Sequence, residues 1–100
     1  MKKAILLITF KLAPNKSIEE FFEASKKFND IFISKQKGYI SWKQFVDGDE
    51  IADIVEWERA DDARVVLDKT NLTPEKIEFF SYVDYESCKV NIFTQERSYM

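Results

Sequence analysis

The sequence has no histidine and a single cysteine, Cys88, in 100 residues. Without imidazole there is no histidine-ligated haem or zinc, no Ser-His-Asp triad and no histidine acting as general base. One thiol cannot form an internal disulfide, which fits a reducing cytoplasm. Glycine and proline are scarce, two of each, and nothing resembles a linker, a low-complexity tract or a repeat. Positive charge is in deficit as well: 15 Lys and Arg stand against 18 Asp and Glu, for a net charge of −3. A platform for phosphates needs the opposite sign, so no nucleic-acid partner is expected. No apolar run reaches the roughly 20 residues of a membrane-spanning helix, and no membrane partner is expected either.

What is present is a globular composition, 45% hydrophobic and 15% aromatic, at a length that suits one compact domain over residues 1–100. The start imitates a secretory signal, with Met1-Lys2-Lys3 followed by the apolar run AILLITF. Lys11 interrupts that run and no small-residue cleavage pattern follows, so the segment reads as a buried strand and the protein as cytoplasmic. On that reading the sequon Asn71-Leu72-Thr73 is silent.

Ala4 to Leu12 has the pattern of a strand with apolar residues on both faces. Ser17 with Glu20 three residues on makes a capping box, opening a helix with Ile18, Phe21, Phe22, Ser25, Phe28 and Phe32 at helical spacing. A hairpin follows from Gly38 to Trp57, turning at Asp47-Gly48 or Gly48-Asp49. Either turn gives the same faces: Ile40, Trp42, Gln44 and Val46 join Ile51, Asp53, Val55 and Trp57, while Tyr39, Phe45 and Ile54 lie opposite. A short helix starts at Asp61 or a neighbour, and Thr73-Pro74-Glu75 starts another helical turn, with Pro where its missing N–H is harmless. Cys88, Val90 and Ile92 alternate with Lys89, Asn91 and Phe93 in a closing strand. The order is βαββαβ, an α+β fold of the ferredoxin-like kind with a four-stranded antiparallel sheet.

That topology hosts many functions. An RNA-recognition domain is suggested by Lys37-Gly38-Tyr39 and Phe45. However, Ile40 and Ser41 break its signature, which also belongs on the third strand rather than the second. The stretch KGYISWKQFVDGDEIADIVEWERADDA instead resembles the hairpin of antibiotic-biosynthesis-monooxygenase-like proteins, members of the dimeric α/β-barrel superfamily. There a Gly-aromatic stretch opens the second strand, and a strand ending in Trp leads through a polar turn into a helix. The resemblance implies a homodimer with its sheets face to face and a pocket between sheet and helices. It also implies either oxidation of aromatic substrates by O₂ without metal or flavin, haem degradation, or no assigned activity. Independently of it, Ile5, Leu7, Tyr39, Phe45 and Ile54 would form an exposed apolar patch unless a second subunit covers them. The family's frequent histidine after the Trp is missing from RVVLDKTN, and Val55 stands where an acidic residue often lies.

Cofactor-free oxidation needs a dry pocket, a base and donors for the resulting anion. Asp53 is the candidate base, because an apolar wall would raise its pKa, and Gln44 across the hairpin is the candidate donor. Trp42, Trp57, Phe22 and Phe28 are the candidate ligand-binding residues. No cofactor and no metal is expected. A non-catalytic ligand-binding or dimerising protein fits the same residues, with the tryptophans as core. Cys88 reads as a small hydrophobe, Arg64 as an exposed helix residue, and Tyr82, Tyr85 and Tyr99 as packing residues.

Overall fold

The structure, a computed structural model, describes residues 2–68 and 72–100, so Asn71 of the sequon lies outside the described residues. Strand β1 (Ala4–Lys11) is followed by helix α1 (Ile18–Ile31), a 3₁₀ turn (Ile33–Lys35) and the hairpin of β2 (Tyr39–Asp47) and β3 (Glu50–Trp57). Helices α2 (Ala60–Val66) and α3 (Pro74–Phe80), a 3₁₀ turn (Tyr85–Ser87) and β4 (Lys89–Thr94) complete the order. The four strands form one antiparallel sheet in the order β2-β3-β1-β4, the ferredoxin-like arrangement. The run that imitates a signal is its central strand β1, bonded on both sides.

Local chemistry explains the element ends. Ser17 Oγ accepts the N–H of Glu20 at 3.4 Å while its own hydroxyl donates to Glu19 rather than closing a reciprocal box. Thr73 caps α3 in the same way, with Pro74 in the first helical turn. Buried Lys76 Nζ donates to the carbonyls of Val66 and Asp68, both at 3.0 Å, fastening α3 to the end of α2.

The helices cover one face of the sheet only. There Leu6, Ile8, Phe10, Ile51, Val55 and Trp57 are buried with Phe21, Phe28 and Phe79 in one core. Ile5, Leu7 and Ile54 on the opposite face are half-buried, and Phe45 and Phe93 there are about half exposed. Among the described residues no helix is long and apolar enough to cross a membrane.

The hairpin turns on Gly48, at φ +61°, and Asp49, with Gln44 facing Asp53 and Trp42 facing Val55 as the alternation requires. Its open end departs from that alternation. Tyr39, not Ile40, pairs with Trp57, because a bulge between Tyr39 and Ser41 inserts one extra residue into β2. The bulge shifts the face assignment by one: Tyr39 packs edge-on against Trp57 at 6.0 Å, and Ile40 turns outward. Tyr39 therefore leaves the open-face patch expected from strict alternation. Tyr82 packs against Phe21, whereas Tyr85 and Tyr99 are exposed rather than packed.

Candidate functional site

Asp53 is the one fully buried carboxylate among the described residues, at 1% exposure. Strict alternation on β3 places it there: its neighbours on the same face are Ile51 and Val55, and that face lies under the helices. Neither carboxylate oxygen has a hydrogen-bond partner. Desolvation pushes its pKa up to about 7, while Gln44 and Trp42 nearby favour the charged form without reversing the shift. Neither of them closes a hydrogen bond to it. Gln44 Nε2 donates instead to Ser25 Oγ at 3.0 Å, and Ser25 passes its own hydrogen to the carbonyl of Phe21 at 2.8 Å.

Asp53 opens on a narrow chamber of about 30 Å³ walled by Trp42, Trp57, Phe28, Phe79 and Val66, among others. That is room for a water molecule and far less than the roughly 150 Å³ that admits a benzene ring. Two of its walls, Trp42 and Trp57, each carry a buried indole Nε1 without a partner. Buried indole N–H groups normally find an acceptor. One carboxylate and two indole donors without partners thus belong to side chains that wall a single apolar chamber.

Trp42 is also a wall of a second space. A cleft of about 190 Å³ between α1 and β2 is lined by Phe22, Ser25, Lys26, Asn29, Trp42 and Gln44. Trp42 thus stands between chamber and cleft, held edge-on by Phe28 at 6.1 Å and Phe79 at 5.5 Å between ring centroids.

The six residues singled out in the sequence are therefore divided between two spaces. Asp53, Trp57 and Phe28 line the chamber, and Trp42 lines both. Gln44 and Phe22 line only the cleft; Phe22 is 40% exposed and does not fill the chamber. Phe22 faces outward because it follows Phe21, which takes the buried position on α1. Gln44 is drawn from Asp53 by the hydroxyl of Ser25. Sequence reasoning missed Asn29, whose side-chain Oδ1 is buried without a partner. The signal was its place on α1, four residues beyond Ser25 and seven beyond Phe22 on one helical stripe. Cys88 is half-buried, packed against the core, and desolvation raises its pKa. Arg64 is exposed and pairs with Asp61. Among the described residues no cluster of acidic or thiol side chains is arranged to hold a metal.

No family model and no curated protein matches the sequence. Solved structures do match in fold. SnoaB, a cofactor-independent oxygenase from Streptomyces nogalater, superposes with a TM-score of 0.77 at 14% identity, covering 98% of this chain and 97% of that one. The monooxygenase ActVA-Orf6 of Streptomyces coelicolor, solved with nanaomycin D, gives 0.71 at 15% identity over 99% and 92%. A putative antibiotic biosynthesis monooxygenase from Nitrosomonas europaea gives 0.67 at 13% over 93% and 89%.

Proposed function

With the fold of antibiotic-biosynthesis-type monooxygenases as its premise, we propose that this chain is a cofactor-independent oxygenase of electron-rich aromatic compounds, working as a homodimer. The observation that carries the reading is Asp53: a fully buried, unpartnered carboxylate poised near neutrality in a chamber whose walls include two tryptophans with unpartnered N–H groups. Such a site is destabilising for the fold, and clusters of this kind belong to chemistry more often than to architecture.

In the proposed reaction the substrate is the keto tautomer of a phenol, as in an anthrone, whose methylene conjugated with the carbonyl carries the two hydrogens to be lost. Asp53 takes that proton, and the charge spreads to the phenolic oxygen, where the N–H groups of Trp42 and Trp57 receive it. The carbanion passes one electron to O₂, and the resulting radical and superoxide combine into a C–O bond. The proton held by Asp53 returns to the peroxide, giving a hydroperoxide. Asp53 then removes the second hydrogen from the same carbon while the O–O bond breaks, and the proton leaves with hydroxide as water. A CH₂ and one O₂ thus become C=O and H₂O, with every electron supplied by the substrate. The indoles take the donor role that the sequence suggested for Gln44, which is engaged with Ser25.

Entry requires Trp42 to swing, since the chamber alone is too small for a ring. Turning this one side chain joins the chamber to the cleft of about 190 Å³.

The exposed sheet face supports the homodimer. Phe45 and Phe93, about half exposed, flank Ile5, Leu7 and Ile54 in a patch that a second copy would cover. In sedimentation the chain is expected at twice its mass, and Ile54→Glu, which places a charge at the centre of that face, is expected to shift it to the monomer. An unshifted dimer would move the contact elsewhere.

The closed chamber favours a second reading, in which the protein binds a ligand in the cleft or only dimerises. Oxygen uptake separates the two. With an electron-rich naphthol or anthrone as probe, the oxygenase reading expects protein-dependent O₂ consumption that falls at least about 100-fold in Asp53→Asn. Consumption unchanged in that variant would remove Asp53 as the base.

A further inference from the structure

We infer that the cleft is the specificity half of the site, and that it selects substrates carrying a second hydroxyl remote from the reacting one, read by Asn29. The inference rests on the oxygenase reading for the position of the first hydroxyl and adds a substrate feature to it.

Four residues on one stripe of α1 face this cleft, Phe22, Ser25, Lys26 and Asn29, opposite Trp42 and Gln44 of β2. Their hydrogen-bonding states differ. Ser25 is occupied twice, accepting from Gln44 and donating to the Phe21 carbonyl. Lys26 is paired with Asp30 at 3.0 Å and mostly exposed. Asn29 Oδ1 is buried and has no partner. Asn29 lines the cleft between two aromatic side chains, Phe22 and Trp42, and a turn of its amide would bring the buried, unmet acceptor to that space.

A buried acceptor left unpaired costs free energy that a ligand donor recovers, so a hydroxyl is favoured there and a bare ring edge is not. Rejection is sharper than attraction in such an arrangement, because an analogue lacking the donor leaves the buried oxygen unpaired. A substrate with its reacting carbon at Asp53 and its second hydroxyl at Asn29 spans both spaces, lying along the turned ring of Trp42. The chamber then decides where the molecule reacts, and the cleft decides which molecule is taken.

Isothermal titration calorimetry with 2-naphthol and with 1,5-, 2,6- and 2,7-dihydroxynaphthalene tests this, the three diols ensuring that the result does not hang on one spacing. At least one diol is expected to bind about tenfold tighter than 2-naphthol. Asn29→Ala is expected to erase that preference, bringing the diols and 2-naphthol to equal affinity, and Asn29→Asp, which keeps an acceptor oxygen, to retain it. If all four compounds bind with no diol preferred, or if the diol preference persists in Asn29→Ala, the inference is overturned and the oxygenase reading stands. If none of the four binds, both fall together.

Discussion

An Asp53→Asn variant is expected to be about 4 kcal/mol more stable than the parent chain at pH 8, and equal to it within about 1 kcal/mol at pH 4. The folded-state pKa of Asp53 is raised from 3.8 to about 7, with desolvation as the main cause. Between those values the folded chain holds a proton that the unfolded chain has released. Stability therefore falls as pH rises through this window, by about 1.4 kcal/mol per pH step, and the whole penalty is in place above pH 7. Below pH 4 the carboxyl is neutral in both states and differs little from an amide. Replacing it removes the penalty only where it exists. Urea titrations of both chains at the two pH values measure this directly. A gap of the same size at pH 4 and pH 8 would mean that the introduced amide repacks the chamber and that ionisation is not the cause. Retaining such a residue makes sense if the ionised form is used, since stability and activity commonly oppose each other at active sites.

Gly38→Ala is the other large effect, with an expected loss of about 2–4 kcal/mol. Gly38 holds φ +83°, a left-handed conformation that disfavours any side chain. An added Cβ would also meet Asp62, 2.0 Å from Oδ2 and 2.9 Å from Cβ, so more than a flexible tip must move. Asp62 lies in the first turn of α2, and the Gly38 carbonyl accepts the N–H of Glu58 at 2.8 Å just after Trp57. The same small residue thus lets α2 settle onto the sheet just ahead of β2. Asp62→Ala on its own is expected to change stability by less than about 1 kcal/mol. Combined with Gly38→Ala it is expected to recover at least about 1 kcal/mol, because the closest clash is gone while the strained φ remains. Thermal or urea unfolding of the three variants forms the cycle. Strict additivity would show that the contact with Asp62 does not contribute.

Much of this architecture is written in short signals. Ser17, Pro74 and the Gly48 turn mark element ends by chemistry that acts within a few residues, and period-two alternation on β3 puts Asp53 and Trp57 on the buried face. What the sequence does not carry is where alternation stops. The bulge at Ile40 has no residue of its own to announce it, and its consequence is decided by how Tyr39 packs on Trp57 across the sheet. The division of the site is equally tertiary. Gln44 faces Asp53 in the pairing, but its amide goes to Ser25 on a helix nineteen residues earlier. Phe22 and Phe28 share helical spacing with the same apolar run, yet only Phe28 reaches the chamber. Asn29 looks like an ordinary polar helix residue until the structure shows that its Oδ1 is buried and unpaired.

The proposed chemistry depends on Asp53 being a carboxyl that titrates near neutrality inside the folded protein. The most direct test is to follow the ¹³C chemical shift of its carboxyl carbon in aspartate-labelled protein across pH 3 to 9, assigned with the Asp53→Asn variant. A midpoint near 7 is the expected result and would mark a buried base available at cellular pH. A midpoint near 4, as for a carboxylate in water, would mean that Asp53 is solvated or paired in solution, and the proposed oxygenase would lose its base.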